Sequence, residues 1–209
     1  MHPGLFFAIA PTVGTFDFLL NWYLFFGVGA AVVVLTMLGF FIARYRSRGE
    51  TGPPAEHKTE GWKIVLITAL ISLSVLGAAE YQTFASFGNI VIPNDPNAVH
   101  IGVVGYQWGW NFTYPNGKFE LNNLTVPANR TVILTLESRD VFHTFGISTL
   151  AVKEDAIPGK TNSLWFLVPD TGFHKNAIRC FELCGVGHAF MVANLTVVGE
   201  PTWDAWIGG

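Results

Sequence analysis

The sequence predicts a two-helix transmembrane hairpin followed by an all-β sandwich domain, and three observations carry that prediction. Phe18 to Ala43 holds no charged residue. A second apolar run, Ile64 to Ala79, is flanked by Trp62 and Tyr81. From Asn89 onward the chain turns to short runs rich in β-branched residues, broken by Pro, Gly and Asn. Composition agrees: 50% of the 209 residues are hydrophobic and 13% are charged, where a typical soluble protein carries about 25% charged residues. A net charge of −3 without any Lys/Arg stripe argues against a nucleic-acid partner.

The first sixteen residues, Met1 to Phe16, contain Pro3 and Pro11 but no Lys or Arg, so they lack the basic start of a secretory signal. At 1.5 Å per residue about 20 apolar residues cross the ~30 Å hydrocarbon core. The first span is therefore expected at about 18–43. The second, lengthened through Trp62 and the Tyr81 to Phe87 stretch as interfacial anchors, is expected at about 62–87, with Glu80 near its far end. A buried hairpin of a soluble protein fits poorly with so long a charge-free run. Arg44, Arg46, Arg48, Lys58 and Lys63 lie in or beside loop 44–61, and no basic residue precedes the first span. By the positive-inside rule the loop is cytoplasmic and both termini lie outside. Lipid is then a partner of segment 1–88.

Residues 89–209 form the expected extracytoplasmic domain. Candidate strands are His100 to Phe112, Thr131 to Glu137, Ser163 to Val168, Ala177 to Glu182 and Val192 to Val198. Turn signals fall at Pro115-Asn-Gly117, Pro127-Ala-Asn129, Pro158-Gly159 and Asp170-Thr-Gly172. Many short strands without a helical period suggest a β-sandwich.

One stretch of that domain concentrates the chemistry. Cys180-Phe-Glu-Leu-Cys-Gly-Val-Gly-His-Ala-Phe-Met191 places two thiols, a carboxylate, an imidazole and a thioether within twelve residues, and Cys180 and Cys184 are the only cysteines. A second imidazole is available upstream at His143. Soft sulfur ligands with imidazole point to copper first and zinc second. A Cys180–Cys184 disulfide would leave His143, His188 and Met191 unexplained. A structural zinc site usually draws on two close ligand pairs, whereas His143 stands 37 residues before Cys180. Met191 taken singly also reads as a core side chain. A mononuclear blue-copper site needs one Cys, two His and a weak axial ligand, so the second thiolate is one too many.

The pattern Cys-x-Glu-x-Cys-Gly-x-x-His-x-x-Met resembles the dinuclear CuA loop of cytochrome c oxidase subunit II, a family of membrane-anchored haem-copper oxidase subunits. Tyr106-Gln-Trp-Gly-Trp110 is similar to that family's aromatic segment, and Asp155-Ala-Ile-Pro-Gly-Lys160 to the stretch before the loop. The resemblance implies a cupredoxin-like Greek-key sandwich on a two-helix anchor. It implies two copper ions held by His143, Cys180, the backbone carbonyl of Glu182, Cys184, His188 and Met191. The carboxylate of Glu182 would reach a magnesium ion at the subunit interface.

The function implied is one-electron relay within an oxidoreductase complex. A soluble donor, a cytochrome c or a small blue-copper protein, would reduce the copper pair, and haem in subunit I would receive the electron for oxygen reduction. Other oxidase subunits complete the complex, and the chain alone would not reduce oxygen. A prokaryotic cell membrane is expected in preference to the mitochondrial inner membrane. The same copper module also suits a nitric oxide reductase, and a membrane-anchored copper-handling protein is an alternative of another class. Quinol-oxidising relatives lack the copper ligands, whereas all six positions stand here.

Trp108 resembles the family's electron-entry residue, with an interior sandwich tryptophan as the competing reading. Glu60 resembles the glutamate at the mouth of a proton path. Only Gly61 separates it from Trp62, however, where the family has two residues, and that spacing favours a solvated loop acid. Asp140, three residues before His143, is a candidate for supporting that ligand or for docking a donor. Glu137, Glu154, Asp155 and Asp170 could join an acidic docking face, but Arg139 and Lys153 interleave with them and dilute it. His2, His57, His100 and His174 lack ligand context. Asn111, Asn123, Asn129 and Asn194 match the weak Asn-x-Ser/Thr glycosylation pattern.

Overall fold

The computed structural model describes residues 11–46, 61–89 and 91–208. His2, His57 and Glu60 lie outside the described residues, as does most of loop 44–61. The chain divides into a helical unit, Asp17–Gly88, and a unit that contains Asn89–Gly209.

Two long helices, α1 (Pro11–Tyr45) and α2 (Gly61–Ser86), supply the hairpin. The first begins seven residues earlier than the charge-free run suggested. Proline is tolerated in the first turn, where its missing N–H has no helical partner to lose, and Asp17 sits on the helix surface without breaking it. The side chains of both helices are apolar all round, and residues such as Phe25 and Phe84 are left exposed. A helix of that kind suits a membrane interior. The 35 and 26 residues of the pair correspond to roughly 50 and 40 Å at 1.5 Å per residue, enough for two passes. The Tyr23 hydroxyl lies 2.6 Å from Thr83 Oγ1, an interhelical hydrogen bond.

The second unit is a sandwich of two five-stranded sheets with ten strands: β1 (Val99–Tyr106), β2 (Gly109–Thr113), β3 (Phe119–Leu121), β4 (Asn123–Pro127), β5 (Thr131–Ser138), β6 (His143–Ile147), β7 (Val152–Ala156), β8 (Asn162–Leu167), β9 (Gly172–Cys180) and β10 (Val192–Val198). One sheet runs β3-β2-β1-β5-β8 and the other β4-β10-β9-β6-β7. The chain changes sheet repeatedly, which makes β1–β5 and β4–β10 parallel while the remaining pairs are antiparallel. In β10 the residues Ala193, Leu195 and Val197 point inward in strict alternation. Trp110, Phe112, Phe145 and Phe166 fill the space between the sheets with no exposed surface. Each such side chain contributes about 1.5–3 kcal/mol by leaving water.

Two strand expectations need correction. His100 to Phe112 is two strands, because the chain reverses at Gln107-Trp108 to form the β1–β2 hairpin. Gly109 permits the reversal, since a Cβ there would fall 2.7 Å from the Tyr106 hydroxyl. The strand expected at Ala177 to Glu182 begins at Gly172 and ends at Cys180, which leaves Glu182 in the following loop. Strands β3, β4, β6 and β7 were not anticipated. β3 is only three residues long, and β7 carries Lys153, Glu154 and Asp155 along an edge, a composition that protects an edge from further pairing.

A last helix, α3 (Glu200–Gly208), follows β10 and buries Trp203. Trp203 and Trp206 stack at 5.4 Å, and Trp206 meets Tyr114 edge-on at 4.6 Å. The carbonyls at its end are met by the β2–β3 turn: Asn116 Nδ2 donates to Ile207 O at 2.6 Å, and Lys118 Nζ donates to Trp206 O. A cation at a helix C-terminus also complements the helix dipole. Of the glycosylation candidates, Asn123 already donates to Glu120 and Thr125, whereas Asn129 is exposed in a turn.

Candidate metal centre

The ligand loop leaves the sandwich where β9 ends and returns where β10 begins. Two backbone bonds close its base: Cys180 N–H donates to Met191 O, and Phe181 N–H donates to Thr144 O beside His143. A short 3-10 turn, His188–Phe190, then sets His188 and Met191 facing inward. His143 comes from the start of β6 and is fully buried, with the Trp110 ring edge-on at 6.0 Å.

These elements gather the donor atoms. Cys180 Sγ and Cys184 Sγ are 3.8 Å apart, and both thiols are free and buried. His143 Nδ1 lies 3.8 Å from Cys180 Sγ, and His188 Nδ1 lies 3.5 Å from Cys184 Sγ. Met191 Sδ is 3.7 Å from Cys184 Sγ, and the Glu182 carbonyl oxygen is 3.2 Å from Cys180 Sγ. Among the described residues, His143, Cys180 and Cys184 form a buried group able to hold a metal; His100 and His174 are not part of it.

A disulfide requires sulfurs about 2.05 Å apart, which these are not. Thiolate–metal bonds of about 2.3 Å allow one ion to touch both sulfurs of a pair 3.8 Å apart, with room on either side of the line joining them. Soft sulfur and imidazole donors of this kind fit copper. Without metal, burial and then the neighbouring Cys180 push the Cys184 thiol up to about 11, so metal uptake must displace its proton.

A second layer of contacts comes from the β1–β2 turn. Gln107 Nε2 donates to Cys184 O at 2.8 Å, and Trp108 Nε1 donates to the same oxygen at 3.1 Å. The Trp108 ring lies across Gly187 and is 39% exposed. The interior tryptophan of this segment is Trp110. Asp140 connects turn and ligand, accepting from Gln107 N at 2.7 Å and meeting His143 Nε2 at 2.8 Å. Burial alone would raise its carboxyl, but the bonds from His143, Gln107 and Val141 outweigh it and hold it below the usual carboxylate value. Around the ligands the surface is apolar: Val186 is 93%, Phe190 81% and Leu183 77% exposed.

The sequence had singled out each of the six ligand candidates and Trp108, and the fold gathers the ligand candidates at one end of the sandwich with Trp108 laid over their loop. Gln107 was missed. It lay within the quoted aromatic segment, but a polar residue in a turn carries no periodic or ligand signal.

Fold and site together define a membrane-anchored, cupredoxin-like metal-binding protein. The family model for the cytochrome c oxidase subunit II periplasmic domain matches residues 118–198. The heme-copper oxidase subunit 2 of Aeropyrum pernix is 34% identical over 213 residues, covering 90% of this chain and 89% of the relative. The cytochrome c oxidase subunit 2 of Alkalihalophilus pseudofirmus is 31% identical, covering 86% of this chain and 54% of the longer relative. The crystal structure of the periplasmic domain of cytochrome oxidase subunit II from Bradyrhizobium japonicum aligns with 56% of this chain and 95% of its own, with a TM-score of 0.51 and 31% identity. The chain belongs to the heme-copper oxidase subunit 2 family. It is therefore a subunit of an oxidoreductase complex, a copper-binding family member with other oxidase subunits as partners.

Proposed function

We propose that this chain is the electron-entry subunit of its oxidase. His143, Cys180, the Glu182 carbonyl, Cys184, His188 and Met191 would hold a dinuclear CuA centre, which would supply one-electron transfer between a soluble donor on the outer face and haem in the catalytic subunit. The observation that carries this reading is the pair of sulfurs 3.8 Å apart with one imidazole nitrogen beside each. Two copper ions bound there would supply a one-electron relay whose shared charge limits geometric change on reduction. The protein's part is to hold its ligands still. His143 is fixed by Asp140, the loop is pinned at its base by two backbone bonds, and the sandwich beneath is closely packed. The Glu182 side chain would in the same reading help to hold a magnesium ion at the interface with the catalytic subunit.

Trp108 is the entry residue in this reading: it is half-exposed, and its indole N–H bonds directly to the backbone of a ligand. The donor that approaches it meets apolar Val186 and Phe190 more than charge. Several acidic residues are already engaged within the domain, Glu137 by Thr161 and Asp155 by Thr144. We therefore assign a donor with a weakly charged face, and rapid reduction by a strongly basic cytochrome c with steep loss of rate at high salt would contradict it.

The full chain in detergent, loaded with copper, tests the central reading beside a Cys184→Ser variant. Two coppers per chain, with an electron resonance signal shared over both nuclei and lost in the variant, are expected. A single zinc, or a disulfide that resists copper loading, would overturn the assignment.

A further inference from the structure

We infer that Gln107 is a positioning residue for the metal centre, the link through which the His143 side of the site is held in register with the Cys184 side. The inference rests on the copper reading above. The donor atoms connect His143 to Cys184 on one side, through the two sulfurs. A second connection runs behind them: His143 Nε2 to Asp140 at 2.8 Å, Asp140 to Gln107 N–H at 2.7 Å, and Gln107 Nε2 to Cys184 O at 2.8 Å. Gln107 is the one residue in this circuit that contacts both halves, by its backbone towards Asp140 and by its side chain towards the loop.

The Cys184 end needs such a hold. The next residue, Gly185, sits at φ +112°, a conformation in which glycine has no side chain to restrain the peptide plane. The orientation of the Cys184–Gly185 peptide is thus set from outside, by Gln107 and by the Trp108 indole bonded to the same oxygen. That peptide begins at the Cα that carries the Cys184 sulfur, so holding it in place helps to hold that sulfur in position relative to Cys180. The hydrogen bonds of Gln107 go to Asp140 and to the Cys184 carbonyl, not to the donor atoms, which separates its role from that of a ligand.

The test uses the full chain with Gln107→Met, which removes the amide at similar length, and Gln107→Glu, which sets a carboxylate against the Cys184 carbonyl. Losing one hydrogen bond of ordinary strength is expected to speed copper release to a chelator about three- to tenfold in Gln107→Met. The glutamate variant should release faster still and show altered copper hyperfine couplings and a shifted reduction potential. Melting of the metal-free chains should stay close to the parent. A parent spectrum, potential and release rate in both variants would overturn the inference, as would equal destabilisation of metal-free and loaded forms, which would mark Gln107 as an ordinary structural contact. A parent chain that takes up no copper would instead remove the reading on which the inference rests.

Discussion

Gly187 lies so close under the Trp108 indole that a Cβ there would come 2.3 Å from Trp108 Cδ2 and 2.6 Å from Cγ. The fit leaves no room for a side chain. Gly187→Ala is therefore expected to lift the ring or push the ligand loop outward, at a cost of about 1–3 kcal/mol in stability. The rate of donor reduction should fall more than copper content does, read by stopped-flow on the loaded chain. An alanine variant reduced at the parental rate would show that the ring's seat on the loop does not matter to electron entry.

Met191 is fully buried, its sulfur 3.7 Å from Cys184 Sγ. Leucine nearly conserves its volume, so Met191→Leu should change the melting of the metal-free chain by less than about 1.5 kcal/mol. With Met191 in the weak-ligand role proposed above, its loss should nonetheless alter the copper spectrum and raise the reduction potential. An unchanged spectrum would return Met191 to the role of core side chain.

Tyr114 gives the domain an alkaline limit. Its hydroxyl donates to Glu120 at 2.8 Å and accepts from Thr125 N–H at 2.8 Å. Burial, partly offset by the Thr125 N–H and reinforced by Glu120, raises its pKa far above the ordinary 10.0. Because the folded value exceeds the unfolded one, the stability linked to this group is complete below pH 10 and is lost progressively above it. Tyr114→Phe should cost about 1–3 kcal/mol near neutrality, since Thr125 N–H loses its acceptor, and should flatten the decline above pH 10. Chemical denaturation at pH 7 and across pH 9.5–11 measures both effects.

Trp203 is the anchor of α3, 2% exposed and stacked on Trp206. Trp203→Ala should lower stability by about 3–5 kcal/mol. The copper spectrum of the molecules that remain folded should be unchanged, since the ring contacts of Trp203 are with Tyr114 and Trp206; a changed spectrum would reveal coupling between α3 and the ligand loop.

In the helical unit, Tyr23→Phe removes the hydroxyl bonded to Thr83. Interhelical hydrogen bonds in membranes average only about 0.6 kcal/mol. A small decrease in resistance to denaturing detergent is expected, with copper loading unaffected.

The parts of this protein legible from sequence are those whose signals are local and chemically unusual. A run without charge from Phe18 to Ala43 admits few readings, though its helix starts at Pro11 because a helix's first turn asks nothing of proline's missing donor. The metal loop was legible because thiol, imidazole and thioether side chains fall together at short spacing. His143 stood out as a second imidazole, but its place beside the loop came from the family resemblance, since 37 residues and a change of strand separate it from Cys180. β6 escaped notice because all five of its residues are buried, which erases the alternation that marks a half-covered strand. Gln107 was invisible for another reason. Its importance lies in two contacts, to residues 33 and 77 positions away, that only the closed fold creates.

The place of β10 between β4 and β9 has a consequence for how the protein is made. During synthesis β6, β7 and β9 can pair as soon as they emerge, but β4 has no neighbour in its sheet until β10 arrives about seventy residues further along. The ligand loop emerges immediately ahead of that last strand. Copper delivered before then would meet His143 without thiols, or thiols on a loop not yet anchored at its far end. The six ligand candidates are therefore gathered in one place only once the last strand has closed the sandwich.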